Sequence, residues 1–330
     1  MSRLSRPAVA VLVVLATAAA TRSAPLRPLA PQQLQAPPPL APLGAPPVEP
    51  PLQPPQPPLQ PPQPLLQLPQ THQLQQPPRQ GPPEPLPGQA GKDVIWLPTP
   101  EPLVERMLTM AQVTPADVVY DLGSGDGRTV IAAAKRGAEA VGIEFNPDLV
   151  ALSESRARVQ GVARKARFVQ GDIFQADFSR ATVVTLYLLS TLNMRLRPTL
   201  LGMRPGTRVV SHAFTMEDWP PDEVSQAEYR SAYLWIVPAA VEGAWRLDLE
   251  GGPSFEIDLT QRFQKIEGTV DLGVVKAGLR EPLLRGDLIR FAFVDAQGLL
   301  RELAGRVAGD RMSGTLQAAG RAGRWTAVRR

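Results

Sequence analysis

The middle of the chain alternates short apolar runs with stretches of helical periodicity. Each apolar run has the length and continuous hydrophobicity of a buried parallel strand. The stretches between them predict helices from Thr129 to Arg136 and from Pro147 to Gly161, where Gly137 is a suitable residue after a helix end and Pro147 a suitable first helical residue. This alternation predicts an α/β class fold, a Rossmann-like doubly wound sheet. The predicted strands are 118–122, 140–144, 166–170, 183–186 and 208–211.

The last 90 residues have a different pattern, in which short alternating runs are separated by glycine. Arg285-Gly286-Asp287 and Ala308-Gly309-Asp310 have the composition of hairpin turns. We therefore predict a small antiparallel all-β domain over 241–330, a barrel or a sandwich. It would hold an acceptor protein, bind an apolar ligand in its lumen, or cover one edge of the preceding domain. Its predicted strands are 245–249, 255–263, 266–270, 288–294, 300–307, 312–316 and 325–328.

The N-terminal region predicts export rather than a packed domain. Arg3 and Arg6 precede the apolar run Ala8–Ala20, which ends in small residues, so residues 1–24 resemble a signal peptide. Thirteen helical residues span only about 20 Å, so we expect no stable transmembrane span. Residues 25–92 form a Pro/Gln-rich low-complexity linker that contains 25 of the 38 prolines. We expect an exported, periplasmic or envelope-associated protein, or a cytoplasmic one if translation starts downstream, for example at Val94.

Charge and cysteine content exclude several classes of partner. The chain has no cysteine, which excludes a disulfide scaffold and cysteine-ligated metal. Its formal charge is +4, but residues 93–240 carry 15 basic against 17 acidic side chains. A nucleic-acid-binding surface would concentrate positive charge on the folded region, so we expect no nucleic-acid partner. No metal site is predicted.

A glycine-rich turn, Gly123-Ser124-Gly125-Asp126-Gly127, directly follows the first strand. A dinucleotide fingerprint would need glycine where this chain has Arg128. Asp126 would also add negative charge where a pyrophosphate needs free N–H groups. A cationic nucleoside fits better, because Asp121 and the turn could face an amino-acid moiety. Glu144, at the end of the second strand, could accept both ribose hydroxyls, and Asp172 and Ile173 after the third could contact adenine.

Three segments in order, 119–128, 142–147 and 171–174, resemble the cofactor motifs of class I S-adenosylmethionine-dependent methyltransferases. The resemblance is nearest to the protein-lysine methyltransferases and their bacterial relatives, and it covers about 93–240. It implies S-adenosylmethionine as the cofactor and a methyltransferase domain over those residues. The predicted cofactor-binding residues are Asp121, Gly123, Ser124, Gly125, Glu144, Asn146, Asp172 and Ile173.

The acceptor site is predicted at the ends of the fourth and fifth strands. Methyltransferases that act on planar nitrogens carry Asn/Asp-Pro-Pro-Tyr/Phe after the fourth strand, whereas this chain has Tyr187-Leu188-Leu189. A protein lysine or another amine, held in an aromatic channel, is therefore the expected acceptor. Tyr187 is the candidate lining residue, with core packing as its alternative role. His212 is the candidate proton acceptor, with a structural hydrogen bond as its alternative.

Two further segments have open roles. Trp96–Pro100 resembles the entry segment of the protein-lysine subgroup and would fold over the cofactor or form a stiff boundary. Glu217-Asp218-Trp219 would cover the pocket or form a solvated turn. The alternative function for the whole chain is a non-catalytic module that binds the cofactor or another nucleoside, with a β domain that binds a partner or an apolar ligand.

Overall fold

The computed structural model of the protein describes residues 97–227 and 230–330. These residues belong to one compact unit. The predicted signal peptide, the predicted linker and Trp96 lie outside the described residues. Within them, none of the helices combines the length and the apolar character that crossing a bilayer requires.

Four helices and seven strands form the first layered part of the described chain. The helices are α1 (Glu101–Met110), α2 (Arg128–Lys135), α3 (Pro147–Val159) and α4 (Ser190–Leu201). The strands are β1 (Val118–Leu122), β2 (Glu139–Glu144), β3 (Ala166–Gln170), β4 (Val183–Leu186), β5 (Arg208–His212), β6 (Glu223–Ala227) and β7 (Arg230–Ile236). The five strands predicted from the apolar runs are all present, with bounds that differ by at most one residue.

The strand order in this sheet is β3-β2-β1-β4-β5-β7-β6. Strands β1 to β5 pair in parallel, and β7 runs antiparallel between β5 and β6. The reversal of order beside β1 is the switch point at which doubly wound sheets bind ligands. The predicted Rossmann-like class is confirmed. Strand β6 was not predicted, because Glu223, Ser225 and Gln226 give it no apolar run.

Nine antiparallel strands follow, and all pair with neighbours in a second sheet. They are β8 (Gly243–Leu249), β9 (Ser254–Arg262), β10 (Lys265–Asp271), β11 (Lys276–Gly278), β12 (Arg280–Arg285), β13 (Leu288–Val294), β14 (Leu300–Ala308), β15 (Arg311–Ala318) and β16 (Arg321–Arg329). The order is β11-β10-β9-β8-β16-β15-β14-β13-β12. The two edge strands, β11 and β12, are separated along the chain by Leu279 alone, so the sheet must curl until its edges meet. The result is a nearly closed barrel.

The interior of this barrel is filled by its own side chains. Trp245, Phe291, Phe293 and Trp325 are each at most 2% exposed. A Cβ added to Gly305 would lie 2.7 Å from the ring of Trp325, so even the backbone approaches the ring closely. This packing gives no support to the suggestion that an apolar ligand occupies the lumen. Strand β11 was not predicted because it has only three residues, and β12 because its pairing with β13 is interrupted by a register shift.

Two hairpins of the barrel pack on the first sheet. Phe263, between β9 and β10, stacks on Trp219 with ring centroids 5.9 Å apart, and Gln264 accepts a hydrogen bond from the Trp219 indole at 3.0 Å. At the β12–β13 turn, a Cβ on Gly286 would lie 2.9 Å from Gly206 Cα, just before β5 begins. The turn therefore contacts the end of β5 opposite to His212. The boundary between domains at residue 240 stays a prediction.

The interpretation of Glu217–Trp219 as a pocket cover is wrong. Trp219 is fully buried and its ring also packs against Trp235, 6.1 Å away. Asp218 forms ion pairs with Arg197 and Arg262 on the surface. Trp219 is fully buried between the sheet and the barrel, so it cannot also close over a ligand. The segment instead joins the barrel to the sheet.

Candidate functional site

Parallel pairing brings the ends of four strands to one edge of the first sheet. Asp121 of β1 is in register with Gly142 of β2 and Thr185 of β4. Glu144 ends β2, and Tyr187 follows β4. The predicted cofactor and acceptor residues therefore meet at the switch point, which is the geometry expected of a ligand site in an α/β sheet.

Asp121 is an ionisable group in an apolar position. It is 7% exposed, and Thr185 Oγ1 donates a hydrogen bond to its Oδ1 at 2.6 Å. Burial raises the pKa of Asp121 to about 7, and the nearby charges of Glu144 and Asp126 act in the same direction. A cation bound beside this carboxyl would favour its ionised form. The site is thus electrostatically prepared for a positively charged ligand.

The backbone N–H groups of the glycine turn are already used within the protein. Gly123 and Ser124 both donate to the carbonyl oxygen of Ile143, at 2.8 and 3.1 Å. Gly125 donates to Glu144 Oε2 at 2.9 Å, and Gly127 donates to the carbonyl of Ser124 at 2.9 Å. A pyrophosphate cradle needs such groups to point at the ligand. Their engagement argues against a dinucleotide site.

From its position in the turn, Asp126 was predicted to place a negative charge where a pyrophosphate would bind. Its contacts in the structure do not support that role. Its carboxylate forms ion pairs with Arg128 and Arg156 and is 2% exposed as a residue. The hydrogen bonds and charges of these two arginines hold the pKa of Asp126 below its usual range, against the effect of burial. Its charge is neutralised inside the protein, so it does not repel a phosphate. The case against a pyrophosphate rests instead on the occupied N–H groups.

Two residues of the turn have packing roles that the sequence did not indicate. The hydroxyl of Ser124 is buried without a hydrogen-bond partner, and a Cβ on Gly142 would lie 2.5 Å from it. The Ser124 side chain thus points at the backbone of β2. Gly127 has a φ of 78°, and its missing side chain lets α3 approach, since a Cβ there would lie 2.7 Å from Ser153.

Glu144 is held in a fixed orientation by two backbone groups. Its Oε2 accepts from Gly125 and its Oε1 accepts from the N–H of Asn146, each at 2.9 Å. Each carboxylate oxygen can accept a second hydrogen bond. Glu144 could therefore receive both hydroxyls of a ribose without moving, which fits the nucleoside of S-adenosylmethionine.

The remaining predicted cofactor residues shape the edge next to Glu144. The Asn146 side chain caps α3 by accepting from the N–H of Asp148 at 2.9 Å. Asp172 Oδ1 accepts from the N–H of Phe174 at 3.0 Å, and the N–H of Gly171 donates to the carbonyl of Glu144. Ile173 is partly buried against the core. These contacts place Asp172 and Ile173 beside Glu144, where an adenine could lie.

The two candidate acceptor residues lie in direct contact. The rings of Tyr187 and His212 stack with centroids 3.8 Å apart, and the ring of Phe214 is stacked with that of Tyr187 at a centroid distance of 6.1 Å. We call Tyr187, His212 and Phe214 the aromatic wall. Burial lowers the pKa of His212 to about 4, and the charge of Arg230 adds to the effect. His212 is therefore neutral near pH 7 and a poor acceptor for a lysine proton.

Sequence reasoning missed three residues of this site. These are Phe214, Asn193 and Thr99. Phe214 lies two residues after the end of β5, and Asn193 is fully buried on α4. Thr99 belongs to the predicted entry segment, but no individual role was predicted for it. The Asn193 amide donates to the carbonyls of Phe214 and Thr215 at 3.3 and 3.2 Å. An asparagine within a helix carries no signal of a contact twenty residues away. The Pro-Thr-Pro sequence around Thr99 was the available signal.

Comparisons with known proteins agree with this geometry. The ANTKMT methyltransferase domain family matches residues 121–223. The chain is 43% identical over 151 residues to a protein-lysine N-methyltransferase of Saccharolobus islandicus, a match that covers 44% of this chain and 94% of that protein. It is 30% identical over 154 residues to the adenine nucleotide translocase lysine N-methyltransferase of Mus musculus, a match that covers 46% of this chain and 62% of that protein.

Among solved structures, the chain is similar to a Salinibacter ruber RNA methyltransferase crystallised with S-adenosyl-L-homocysteine. The two are 52% identical, the match covers 44% of this chain and 96% of that one, and the TM-score is 0.43. The matches with these relatives leave more than half of this chain uncovered, and the chain spans less than two thirds of the length of the mouse protein.

Proposed function

Because the chain belongs to the class I S-adenosylmethionine-dependent methyltransferases of the protein-lysine subgroup, we propose that its methyl acceptor is the ε-amino group of a lysine in a protein. The observation that carries this proposal is the aromatic wall at the carboxyl edge of the sheet. Aromatic faces attract an ammonium group and let its alkyl chain pack. Tyr187 follows β4, the strand next to Asp121 on β1, and His212 ends β5, the next strand in the sheet.

The chain's own residues account for cofactor binding in this proposal. Asp121 faces the ammonium group of the methionine part, Glu144 binds the ribose, and Asp172 and Ile173 border the adenine. Bound S-adenosylmethionine supplies a methyl group on a positively charged sulfur. The protein's main contribution to rate is then to hold the acceptor nitrogen in line and to exclude water.

The acceptor lysine must lose a proton before its nitrogen can attack. The loss of hydration as the ammonium group enters the site lowers its pKa and increases the neutral fraction, whereas the attraction of the aromatic faces for the cation acts in the opposite direction. His212 has too low a pKa to receive that proton, so in this proposal the proton passes to water before the site closes. His212 is 1% exposed, so it supports the Tyr187 ring as a neutral group from within the protein and does not itself contact the incoming lysine.

A transfer assay with the full-length protein tests the proposal. The protein is incubated with methyl-labelled S-adenosylmethionine and an envelope extract, and the label is followed after protease or ribonuclease treatment. We expect a discrete protease-sensitive, ribonuclease-resistant product, with methyl-lysine found by peptide mass spectrometry. Asp121→Asn is the control that should give no label.

Three other results would contradict it. Label lost on ribonuclease treatment would make the acceptor RNA. Label on a small amine would reject a protein acceptor. Binding of S-adenosylhomocysteine with no transfer to any extract would favour the non-catalytic module.

We also propose that residues 1–24 direct the protein to the cell envelope. The support is the charge-apolar-small residue layout of the sequence. Mass spectrometry of the mature N-terminus from native cells tests this. A mature N-terminus at or near residue 25 would support export, whereas an intact Met1 in the soluble cell fraction, or a translation start near residue 94, would contradict it.

A further inference from the structure

Thr99 connects the aromatic wall to the glycine turn. Its Oγ1 lies 3.1 Å from His212 Nδ1, at hydrogen-bond distance. Its backbone carbonyl accepts a hydrogen bond from Arg128 Nη1 at 3.0 Å. Arg128 in turn pairs with Asp126 of the turn, with Nη2 2.6 Å from Oδ2. Thr99 therefore contacts the aromatic wall directly and the glycine turn through Arg128.

The position of Thr99 is fixed before any ligand binds. It is 7% exposed and lies between Pro98 and Pro100, whose rings restrict the backbone. Pro100 is also the residue that precedes α1, and its carbonyl accepts from Leu103 and Val104 at 3.0 Å. The hydroxyl is thus presented to His212 from a stiff segment anchored to a helix.

The hydrogen bond holds the His212 ring in one orientation. The Thr99 hydroxyl can donate to a bare Nδ1 or accept from an Nδ1–H, so the contact forms with either neutral tautomer of the imidazole. With Nδ1 engaged by Thr99, the ring cannot rotate without leaving a buried nitrogen unpaired, which is unfavourable. The stacking partner Tyr187 is then held at a constant distance from the ring.

We propose that Thr99 is a positioning residue for methyl transfer, whose hydroxyl fixes the orientation of the His212 ring and so the shape of the aromatic wall. This inference rests on the proposed function for its kinetic consequences. The hydroxyl acts through His212 and does not contact the reacting atoms.

Two substitutions separate the hydroxyl from the size of the side chain. Thr99→Val keeps the branched shape and removes the hydrogen bond, and Thr99→Ser keeps the hydroxyl. We expect Thr99→Val to lower kcat for the acceptor about tenfold, the effect of one lost buried hydrogen bond. The Kd for S-adenosylhomocysteine should change less than about twofold, because the substitution leaves in place the backbone carbonyl by which Thr99 contacts Arg128 beside the glycine turn. Thr99→Ser should recover kcat to within about threefold of wild type, because it restores the hydrogen bond.

A spectroscopic readout does not depend on turnover. The chain has two histidines, His72 and His212, so ¹⁵N-histidine labelling gives only two sets of ring signals in the full-length protein. Thr99→Val should change the Nδ1 shift of His212 and leave that of His72 unchanged, and Thr99→Ser should preserve both. The ¹⁵N-histidine spectra test the hydrogen bond between Thr99 and His212 even if the wild-type protein methylates no lysine.

Either of two results would overturn the proposal. One is an unchanged His212 ring spectrum in Thr99→Val. The other is wild-type kcat in Thr99→Val in an assay where Asp121→Asn is inactive. A Thr99→Ser variant as slow as Thr99→Val, with both folded by circular dichroism, would also count against it, because the hydroxyl would then not be sufficient for the role.

Discussion

The hydroxyl of Thr185 donates a hydrogen bond of 2.6 Å to Asp121 at the centre of the first sheet. This contact orients a carboxyl whose burial raises its pKa to about 7. The protein thus keeps a carboxyl whose ionisation destabilises the folded state at the switch point of the sheet, where β1 and β4 end side by side. A cationic ligand would offset that cost, because its charge would compensate the buried carboxylate.

Cofactor affinity should depend on the protonation of Asp121. A cation beside Asp121 lowers its pKa from about 7, so binding releases a proton at neutral pH. The affinity for S-adenosylhomocysteine should rise with pH up to about 7 and level off above it. Below about pH 6 it should fall by up to about tenfold per pH unit. Titration calorimetry in buffers of different ionisation enthalpy measures both the Kd and the proton release. A Kd that is flat from about pH 5.5 to 8 would show that Asp121 does not face the ligand's cation.

Asp121→Asn should stabilise the ligand-free protein while it abolishes cofactor binding. The pKa of Asp121 is higher in the folded state, so stability attributable to this group is lost as pH rises from about 4 to 7. An amide removes the charge, and at pH 8 the free energy of unfolding should increase by about 4 kcal/mol. Urea denaturation without ligand checks this.

Asp126→Asn is the matched control, because it is also a buried aspartate in the same turn. Its pKa is held below the usual range by Arg128 and Arg156, so neutralising it should destabilise the protein at pH 8. The two variants should therefore shift the denaturation midpoint in opposite directions. A shift in the same direction would contradict the assigned electrostatics.

Glu144→Ala should weaken binding of the nucleoside part of the ligand. The carboxylate is oriented by the N–H groups of Gly125 and Asn146, and its loss also leaves those donors without their acceptor. We expect the Kd values of adenosine and of S-adenosylhomocysteine to rise by similar factors, about tenfold or more. Asp121→Asn should abolish the binding of S-adenosylhomocysteine and leave the Kd of adenosine unchanged, because adenosine has no ammonium group. Equal effects of both variants on adenosine would refute the division of roles.

Tyr187→Leu should impair acceptor use without affecting the cofactor. The substitution removes the face that stacks on His212 at 3.8 Å, whereas Tyr187→Phe keeps it. We expect kcat/KM for the acceptor to fall about tenfold in Tyr187→Leu and to stay near wild type in Tyr187→Phe. The Kd for S-adenosylhomocysteine should stay constant in both. A loss in Tyr187→Phe equal to that in Tyr187→Leu would assign the function to the hydroxyl instead.

Most of the first sheet follows from local pattern. Runs such as 118–122 and 183–186 are apolar almost throughout, because strands covered on both faces have no polar side to show. Strand β6 lacks this signal, since its pairing with β7 at the edge of the sheet leaves Glu223 and Val224 exposed. The sequence predicted a barrel or a sandwich without deciding between them, because closure of the sheet depends on which distant strands pair.

The sequence by itself determined the glycine turn, the acidic strand ends and the position of Tyr187 and His212 after neighbouring strands. These are properties of residue type and spacing along one chain. Only the tertiary structure decided where each polar group points. It turned Asp126 toward two arginines, Ser124 toward Gly142 and Thr99 toward His212. Hydrogen bonds and ion pairs act over about 3 Å, and which groups come that close is settled by packing between elements far apart in sequence.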